Sequence, residues 1–171
     1  MKIDLTSCKL RSWQWRDRDA LVRQANNRNV WINLRDRFPH PYTIADARRW
    51  LDMVVDQKPE TNFAIAVAAE AVGGIGFSVQ HDVERRSAEV GYWLGEEYWG
   101  RGIVTEALIA VTDYAFSHYD VCRLYAHVFE WNGASARVLE KAGYTFEGRL
   151  RKSVTKDGRT IDQLMYAMIR G

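Results

Sequence analysis

Glu89-Val90-Gly91-Tyr92-Trp93-Leu94-Gly95-Glu96-Glu97-Tyr98-Trp99-Gly100-Arg101-Gly102-Ile103-Val104-Thr105-Glu106 changes character twice along its length. It opens as an apolar and aromatic run, as a strand does, and reaches a turn at Gly100-Arg101-Gly102. From about Ile103 the spacing is helical, with Ile103, Ala107, Val111 and Ala115 on one face. Strand, glycine turn and helix together aim several backbone N–H groups at one spot, at the positive end of the helix dipole. Glycine takes up positive φ at little cost and leaves no Cβ between backbone and ligand. The stretch therefore predicts an anion site suited to a phosphate or pyrophosphate. Two better-known phosphate motifs do not fit it. A Walker loop is absent, and the sixth position of a dinucleotide fingerprint is Thr105 rather than glycine.

Working outward, the chain alternates short apolar runs with helical periods. Leu5 to Gln14 reads as a first strand, and Asp17 as the N-cap of a short helix through Ala20, Leu21 and Ala25. Residues 26–42 read as an irregular loop ending in Phe38-Pro39-His40-Pro41-Tyr42. Thr43 and Asp46 form a capping box, and Ile44, Ala47, Leu51, Val54 and Val55 follow at helical spacing. Asn62 to Ala69 and Val72 to Gln80 read as a hairpin with its turn near Glu70-Ala71. The Gly73-Gly74-Ile75-Gly76 run inside it opens no helix, and marks a bulge or close packing. Leu124–Phe129 is a further strand, and a short helix follows Asn132 and ends at Ala142-Gly143. Tyr144–Arg151 and Thr160–Ile169 form a last hairpin around Lys156-Asp157-Gly158-Arg159. With no repeat, linker or low-complexity tract, residues 1–171 read as one α/β domain of the α+β kind. Its sheet is expected to be mixed and mostly antiparallel, flanked by helices.

Composition narrows the function classes. The 24 basic and 22 acidic side chains are interspersed and give a net charge of +2, which leaves no footprint for nucleic acid or an anionic membrane. Cys8 and Cys122 are the only cysteines and have no histidine cluster beside them, so neither a disulfide nor a metal site is expected. The start of the chain has no apolar run of the signal-peptide kind, so a cytoplasmic protein is expected. Seven Trp and eight Tyr exceed what a core of this size needs, and point to a pocket wall or an interface, a homodimer included.

Taken together, several motifs resemble the GNAT superfamily of acyl-CoA-dependent N-acetyltransferases. The likeness is greatest to the branch that includes the ribosomal-protein alanine N-acetyltransferases RimJ and RimL. It is carried by residues 88–94, by Tyr98-Trp99-Gly100-Arg101-Gly102-Ile103-Val104-Thr105-Glu106-Ala107, and by Asp113-Tyr114-Ala115-Phe116. It continues through Asn132-Gly133-Ala134-Ser135-Ala136-Arg137 to Gly143-Tyr144 and Glu147-Gly148, with Leu10-Arg11-x-Trp13 and Pro39-x-Pro41-Tyr42-Thr43 near the start. The resemblance implies acetyl-CoA as cofactor. Tyr92, Trp93 and Leu94 would lie on a strand splayed from Leu124–Phe129, with the pantetheine between. Backbone N–H groups of Gly100, Arg101, Gly102, Ile103 and Val104 would take the pyrophosphate, with the Thr105 hydroxyl assisting. Asn132 would bond the pantetheine arm, and Ser135 would lie near the sulfur.

Two positions depart from the family pattern. The first residue of its Q/R-x-x-G-x-G/A signature is Glu97, and the tyrosine that protonates the leaving thiolate in many members is replaced by Leu139. Ser135, one turn earlier, is the nearest hydroxyl to serve as acid. Glu89 is the best-placed carboxylate to take the amine proton, directly or through water, and a strand N–H near Trp93 or Leu94 suits the oxyanion. His127, on the second strand, reads as a packed residue with a pocket-facing position as the alternative. His40 and the aromatics Trp31, Phe38 and Tyr42 either border the acceptor site or pack.

The expected activity is direct transfer of an acetyl group to an amine in a ternary complex. An α-amine of pKa ~7.8 is roughly one-seventh neutral at pH 7, and a lysine of pKa ~10.4 only about once in 2,500. A protein N-terminal amine is therefore the first expectation. A small amine (amino acid, polyamine or aminoglycoside) is the second, and a non-catalytic acyl-CoA-binding module the alternative outside enzymes.

Overall fold

A computed structural model describes residues 2–171, and all its strands join one eight-stranded sheet. In chain order the strands are β1 (Lys2–Asp4), β2 (Lys9–Ser12), β3 (Asn62–Val67), β4 (Glu70–Val79), β5 (Ser87–Leu94), β6 (Arg123–Phe129), β7 (Thr145–Lys156) and β8 (Arg159–Ile169). Across the sheet they run β1-β2-β3-β4-β5-β6-β8-β7. Every neighbouring pair is antiparallel except β5 and β6. That one parallel pair needs a crossover, and α4 (Ile103–His118) supplies it. The mixed, mostly antiparallel sheet is the one expected from the sequence.

Helices cover both faces. α4 and α5 (Gly133–Lys141) pack on one side, where Leu94, Ile103, Ala107, Leu108, Val111 and Leu139 are buried with the inward residues of β3 to β6. On the other side α1 (Arg18–Ala25) and α3 (Ile44–Val54) close a smaller core around Trp13, Leu21, Tyr42, Leu51 and Ala64. The period-two alternation of strands divides β5 between these faces. Val90 and Leu94 pack with the α4 core, whereas Trp93 packs against the α1–α3 core.

The glycine run of β4 is a close-approach device, as expected. A Cβ built on Gly74 would lie 2.8 Å from the Trp93 Nε1 and 3.1 Å from the Trp13 ring. Only glycine leaves room for both indoles to approach the strand this closely. The Thr43 capping box also forms. Asp46 N–H donates to Thr43 Oγ1 (3.3 Å), and Thr43 N–H donates to the Asp46 carboxylate (2.8 Å).

The first quarter of the chain departs from its sequence reading. The strand expected over Leu5–Gln14 is shorter, β2 alone, and β1 precedes it, because Leu5 N–H bonds back to Cys8 O (2.9 Å) and reverses the chain between the two. Asp17 does precede α1, but its carboxylate does not cap the helix. It accepts two bonds from the Arg11 guanidinium (2.7 Å each) and one from Gln14 N–H (2.9 Å), inside the protein. The loop expected over 26–42 contains one helical turn, α2 (Arg28–Trp31), capped by Asn27 accepting from Asn29 N–H (2.8 Å). A single turn is too short to show a period. The β3–β4 turn falls at Ala68-Ala69 rather than Glu70-Ala71, with φ of +47° and +73° on alanines that carry no turn signal.

Arg11 and Asp17 form a two-toothed ion pair with side chains only 11% and 5% exposed. Removing one partner strands the other charge away from water, at a cost of about 3–5 kcal/mol. Asp17→Ala should therefore lower the free energy of unfolding by about that amount in urea titrations. A loss under about 1 kcal/mol would mean that water reaches Arg11 in the variant.

Candidate active site

The parallel β5–β6 ladder is short: Ser87↔Arg123, Ala88↔Leu124 and Glu89↔Tyr125. Beyond Glu89, β5 follows β4 as far as Leu94, while β6 follows β8 as far as Phe129. A gap opens between them, with unpaired main chain on both walls. Gly95 N–H bonds to Val72 O of β4 (2.8 Å). Alternation along the strand then turns the N–H groups of Leu94 and Tyr92 the other way, into the gap. Of the two donors named from the sequence for an oxyanion, Leu94 faces the gap and Trp93 faces β4.

A one-turn 3-10 segment, Glu96–Tyr98, leads from β5 to the glycine turn. Gly100 and Gly102 have φ of +73° and +76°, and Gly102 is the left-handed N-cap of α4. Nothing lies within 4 Å of a Cβ built on either, so the backbone angle, not crowding, is what requires glycine there. The first bond inside α4 runs from Glu106 N–H to Gly102 O (3.1 Å). The N–H groups of Ile103, Val104 and Thr105 come before it and find no acceptor within the helix. The Arg101 guanidinium donates to Glu97 O (2.7 Å) and lies 5.4 Å from the Tyr98 ring centre, folded back over the turn. The Glu97 carboxylate points away and accepts from Gln24 Nε2 (2.7 Å), so it brings no negative charge into the turn.

Across the gap, Asn132 caps α5 by accepting from Ser135 N–H (3.2 Å). The Ser135 hydroxyl is 2.7 Å from the Tyr92 hydroxyl, which reaches over from β5. Burial pushes the Tyr92 phenol well above its ordinary range, so it stays protonated. Leu139 is fully buried in the core. The site's tyrosine therefore comes from the opposite wall, a pairing that no local spacing could have indicated.

The other face of the sheet carries a second set of groups. Glu89 Oε1 is ion-paired with the Arg35 guanidinium and lies 3.2 Å from His127 Nδ1. The His127 bond and the charge of Arg35 hold the Glu89 carboxyl below the usual carboxylate range, against an opposing push from partial burial. His127 faces a cleft of about 250 Å³ whose wall includes Arg35, Asp36, Phe129, Lys156 and Gln163. The Lys156 ammonium donates to Asp36 Oδ1 (2.8 Å) and lies 3.7 Å from the centre of the Trp31 ring. Phe38 and Tyr42 pack against one another and Phe38 against Trp93, so those two aromatics belong to the core side. His40 is near the Trp31 ring (5.6 Å), and His118 stacks on Tyr114. Among the described residues no group of His, Cys, Asp or Glu could hold a metal ion.

Residues 8–145 match the family model described as the acetyltransferase (GNAT) domain, and the chain belongs to that family. It is an N-acetyltransferase, and acetyl-CoA is its acyl donor. The expectation of a non-catalytic binding module gives way. An uncharacterized N-acetyltransferase of Bacillus licheniformis, p20, is 31% identical over 169 residues, 94% of this chain and 92% of that one. The spermidine N(1)-acetyltransferase of Escherichia coli K12 is 28% identical over 145 residues, 84% of this chain and 76% of its own. Among solved structures, RimL, the ribosomal L7/L12 alpha-N-protein acetyltransferase in complex with coenzyme A, superposes with a TM-score of 0.85. It is 23% identical, with 99% of this chain and 98% of that chain covered, and it shares the fold.

The residues present fit this cofactor. Three free N–H donors at one helix start, next to two positive-φ glycines facing open space, suit a pyrophosphate. The gap with main-chain donors suits a pantetheine arm, with Asn132 and Ser135 at its edge.

Valine at Gly102 would have to hold φ near +76°, a strain of about 1–3 kcal/mol, or relax the turn. Gly102→Val should therefore weaken acetyl-CoA binding about tenfold or more in calorimetry, since ~1.4 kcal/mol is tenfold. Unchanged affinity would move the pyrophosphate site elsewhere.

Proposed function

We propose that this enzyme acetylates a protein N-terminal α-amine by direct attack in a ternary complex, in the cytoplasm. The observation that carries the acceptor class is the charge state of the cleft. The carboxylate on its wall, Asp36, is already paired with Lys156, and Glu89, which touches the cleft residues His127 and Arg35, is paired with Arg35. An acceptor with several ammonium groups gains little in such a cleft, whereas a single terminal amine brings one charge and gives it up before it reacts. The sharing of the fold with RimL, named for an alpha-N-protein acceptor, is in keeping with this. A small amine is the second reading, favoured by the sequence likeness to a spermidine acetyltransferase.

The proposed roles follow the two faces. Bound acetyl-CoA supplies an activated acetyl carbonyl and a thiolate leaving group. Gly100 to Val104 and Thr105 hold the pyrophosphate, Asn132 the pantetheine arm, and the main chain of Tyr92 to Leu94 the strand side. Leu94 N–H donates to the oxygen on which charge builds. Ser135, backed by the Tyr92 hydroxyl, holds the proton for the sulfur on the α5 face. The amine is deprotonated on the opposite face, where Glu89 lies.

Thiol release on mixing acetyl-CoA with a panel of N-terminal peptides, free amino acids, an aminoglycoside and spermidine tests the acceptor. Peptides should turn over with the highest kcat/KM, and a clear preference for spermidine would replace this reading with the second. Ser135→Ala should lower kcat about 10²-fold with acetyl-CoA affinity nearly unchanged. The reverse pattern would make Ser135 a binding residue only.

A further inference from the structure

We propose that His127, rather than Glu89, takes the proton from the acceptor amine, and that Glu89 is a positioning residue that fixes the imidazole. This rests on the acceptor-side reading above. The geometry of Glu89 is the starting point. One of its oxygens, Oε1, meets both the Arg35 guanidinium and His127 Nδ1. A carboxylate stabilised twice on one oxygen is a weak proton acceptor, and its depressed titration agrees. Its charge is spent on orientation.

His127 has the complementary arrangement. With Nδ1 directed at a carboxylate, the neutral ring carries its proton there, and Nε2 is left with a lone pair. Among the described residues the ring has no other hydrogen-bond partner, and His127 lines the acceptor cleft. The charged and titratable groups around it are Glu89 from β5, Arg35, Asp36 and Arg37 from the segment after α2, Tyr125 from β6 (5.5 Å between rings) and Lys156 from β7. The Asp36–Lys156 pair cancels its own charge, so Glu89 and the arginines set the local field.

The acceptor arrives as an ammonium and gives one proton to Nε2, and the nitrogen keeps the electron pair. The imidazolium that forms is held by Glu89 through Nδ1–H. The amine lone pair then makes the N–C bond, the C–S bond breaks with its pair on sulfur, and Ser135 passes a proton to that sulfur. The second proton, still carried by the acylated nitrogen, is lost to water, from which Ser135 regains its own. His127 returns its proton to water. An imidazole in general titrates near neutrality, close to an α-amine at ~7.8, whereas an ordinary carboxylate at ~4.3 is about 3.5 units away.

Two measurements test this. The first is the pH dependence of kcat/KM for one N-terminal peptide, so that the amine's own titration is common to all variants. His127→Gln should lower kcat/KM about 10²-fold and lose the enzyme's acidic limb. Glu89→Gln should keep that limb but move it to lower pH, because an imidazolium without its carboxylate gives up its proton more readily. A His127→Gln enzyme within threefold of wild type with an unchanged profile overturns the proposal. So does a Glu89→Gln enzyme that alone loses the limb.

The second, independent of any acceptor, is ring-nitrogen NMR of His127 in the full chain. A protonated Nδ1 in the neutral ring, and a lower titration midpoint in Glu89→Gln, are expected. An Nε2–H tautomer or an unmoved midpoint overturns the assignment. If wild type binds acetyl-CoA yet acetylates no peptide, the acceptor reading falls, and the NMR result still decides His127.

Discussion

Three residue pairs of parallel ladder, from Ser87↔Arg123 to Glu89↔Tyr125, are where the two halves of the sheet meet. A longer ladder would bury the main-chain groups of Tyr92 and Leu94 in strand pairing. A missing one would leave the β6–β8–β7 half without a sheet connection to the β1–β5 half. Parallel pairing needs a crossover, and α4 is that crossover, so its free N–H groups begin beside the end of β5. The short ladder, the gap and the placing of the α4 start are thus consequences of one topological choice. The glycines of β4 belong to the same arrangement, since Gly74 leaves room for the Trp93 indole where β5 pairs with β4 up to Leu94.

A second constraint closes the cleft beside His127. α2 and the segment after it have little regular structure of their own, and are tied down by charges from β5 and the β7–β8 hairpin. Arg28 pairs with Asp157 (2.6 Å), Asp36 with Lys156 (2.8 Å), and Arg35 with Glu89. The Lys156 side chain is only 2% exposed and is shielded by the Trp31 ring, so its pair with Asp36 is a firmer anchor than the exposed Arg28–Asp157 pair. The cleft wall is therefore built by electrostatics on a loop, whereas the cofactor wall is built by backbone geometry.

That difference explains what could be read from the sequence. Gly100 and Gly102 were legible because positive φ leaves a mark on residue choice, and the α4 face was legible because a long helix repeats its period. The start of α5 after Asn132 was legible through a helix end at Ala142-Gly143 and the motif before it. The ion pairs were not: Arg35 meets Glu89 across 54 positions and Lys156 meets Asp36 across 120, and charged residues of either sign occur everywhere in this chain. His127 read as a packed residue because its one polar partner lies on another strand. Asp17 looked like a cap because Asp before a helix usually is one. Its carboxylate was instead drawn inward by Arg11, for which an unpaired buried charge is the costlier alternative.

The division of β5 between two faces also bears on mechanism. Residues of one parity, Tyr92 and Leu94, meet α4 and α5, and those of the other meet the opposite face, Trp93 against the α1–α3 core and Glu89 against His127. A thioester carbonyl held in the gap would have a proton acceptor on one side of the sheet and a proton donor on the other. The two functions cannot neutralise each other by direct contact, because the strand itself lies between them. Ser135 and Tyr92 share a hydrogen bond in a buried setting that keeps their protons on. Glu89 and His127 share one beside Arg35, in a setting that keeps a carboxylate charged. Opposite protonation preferences a few residues apart on one strand are what acyl transfer to an amine requires. Here they follow from the period of two along β5.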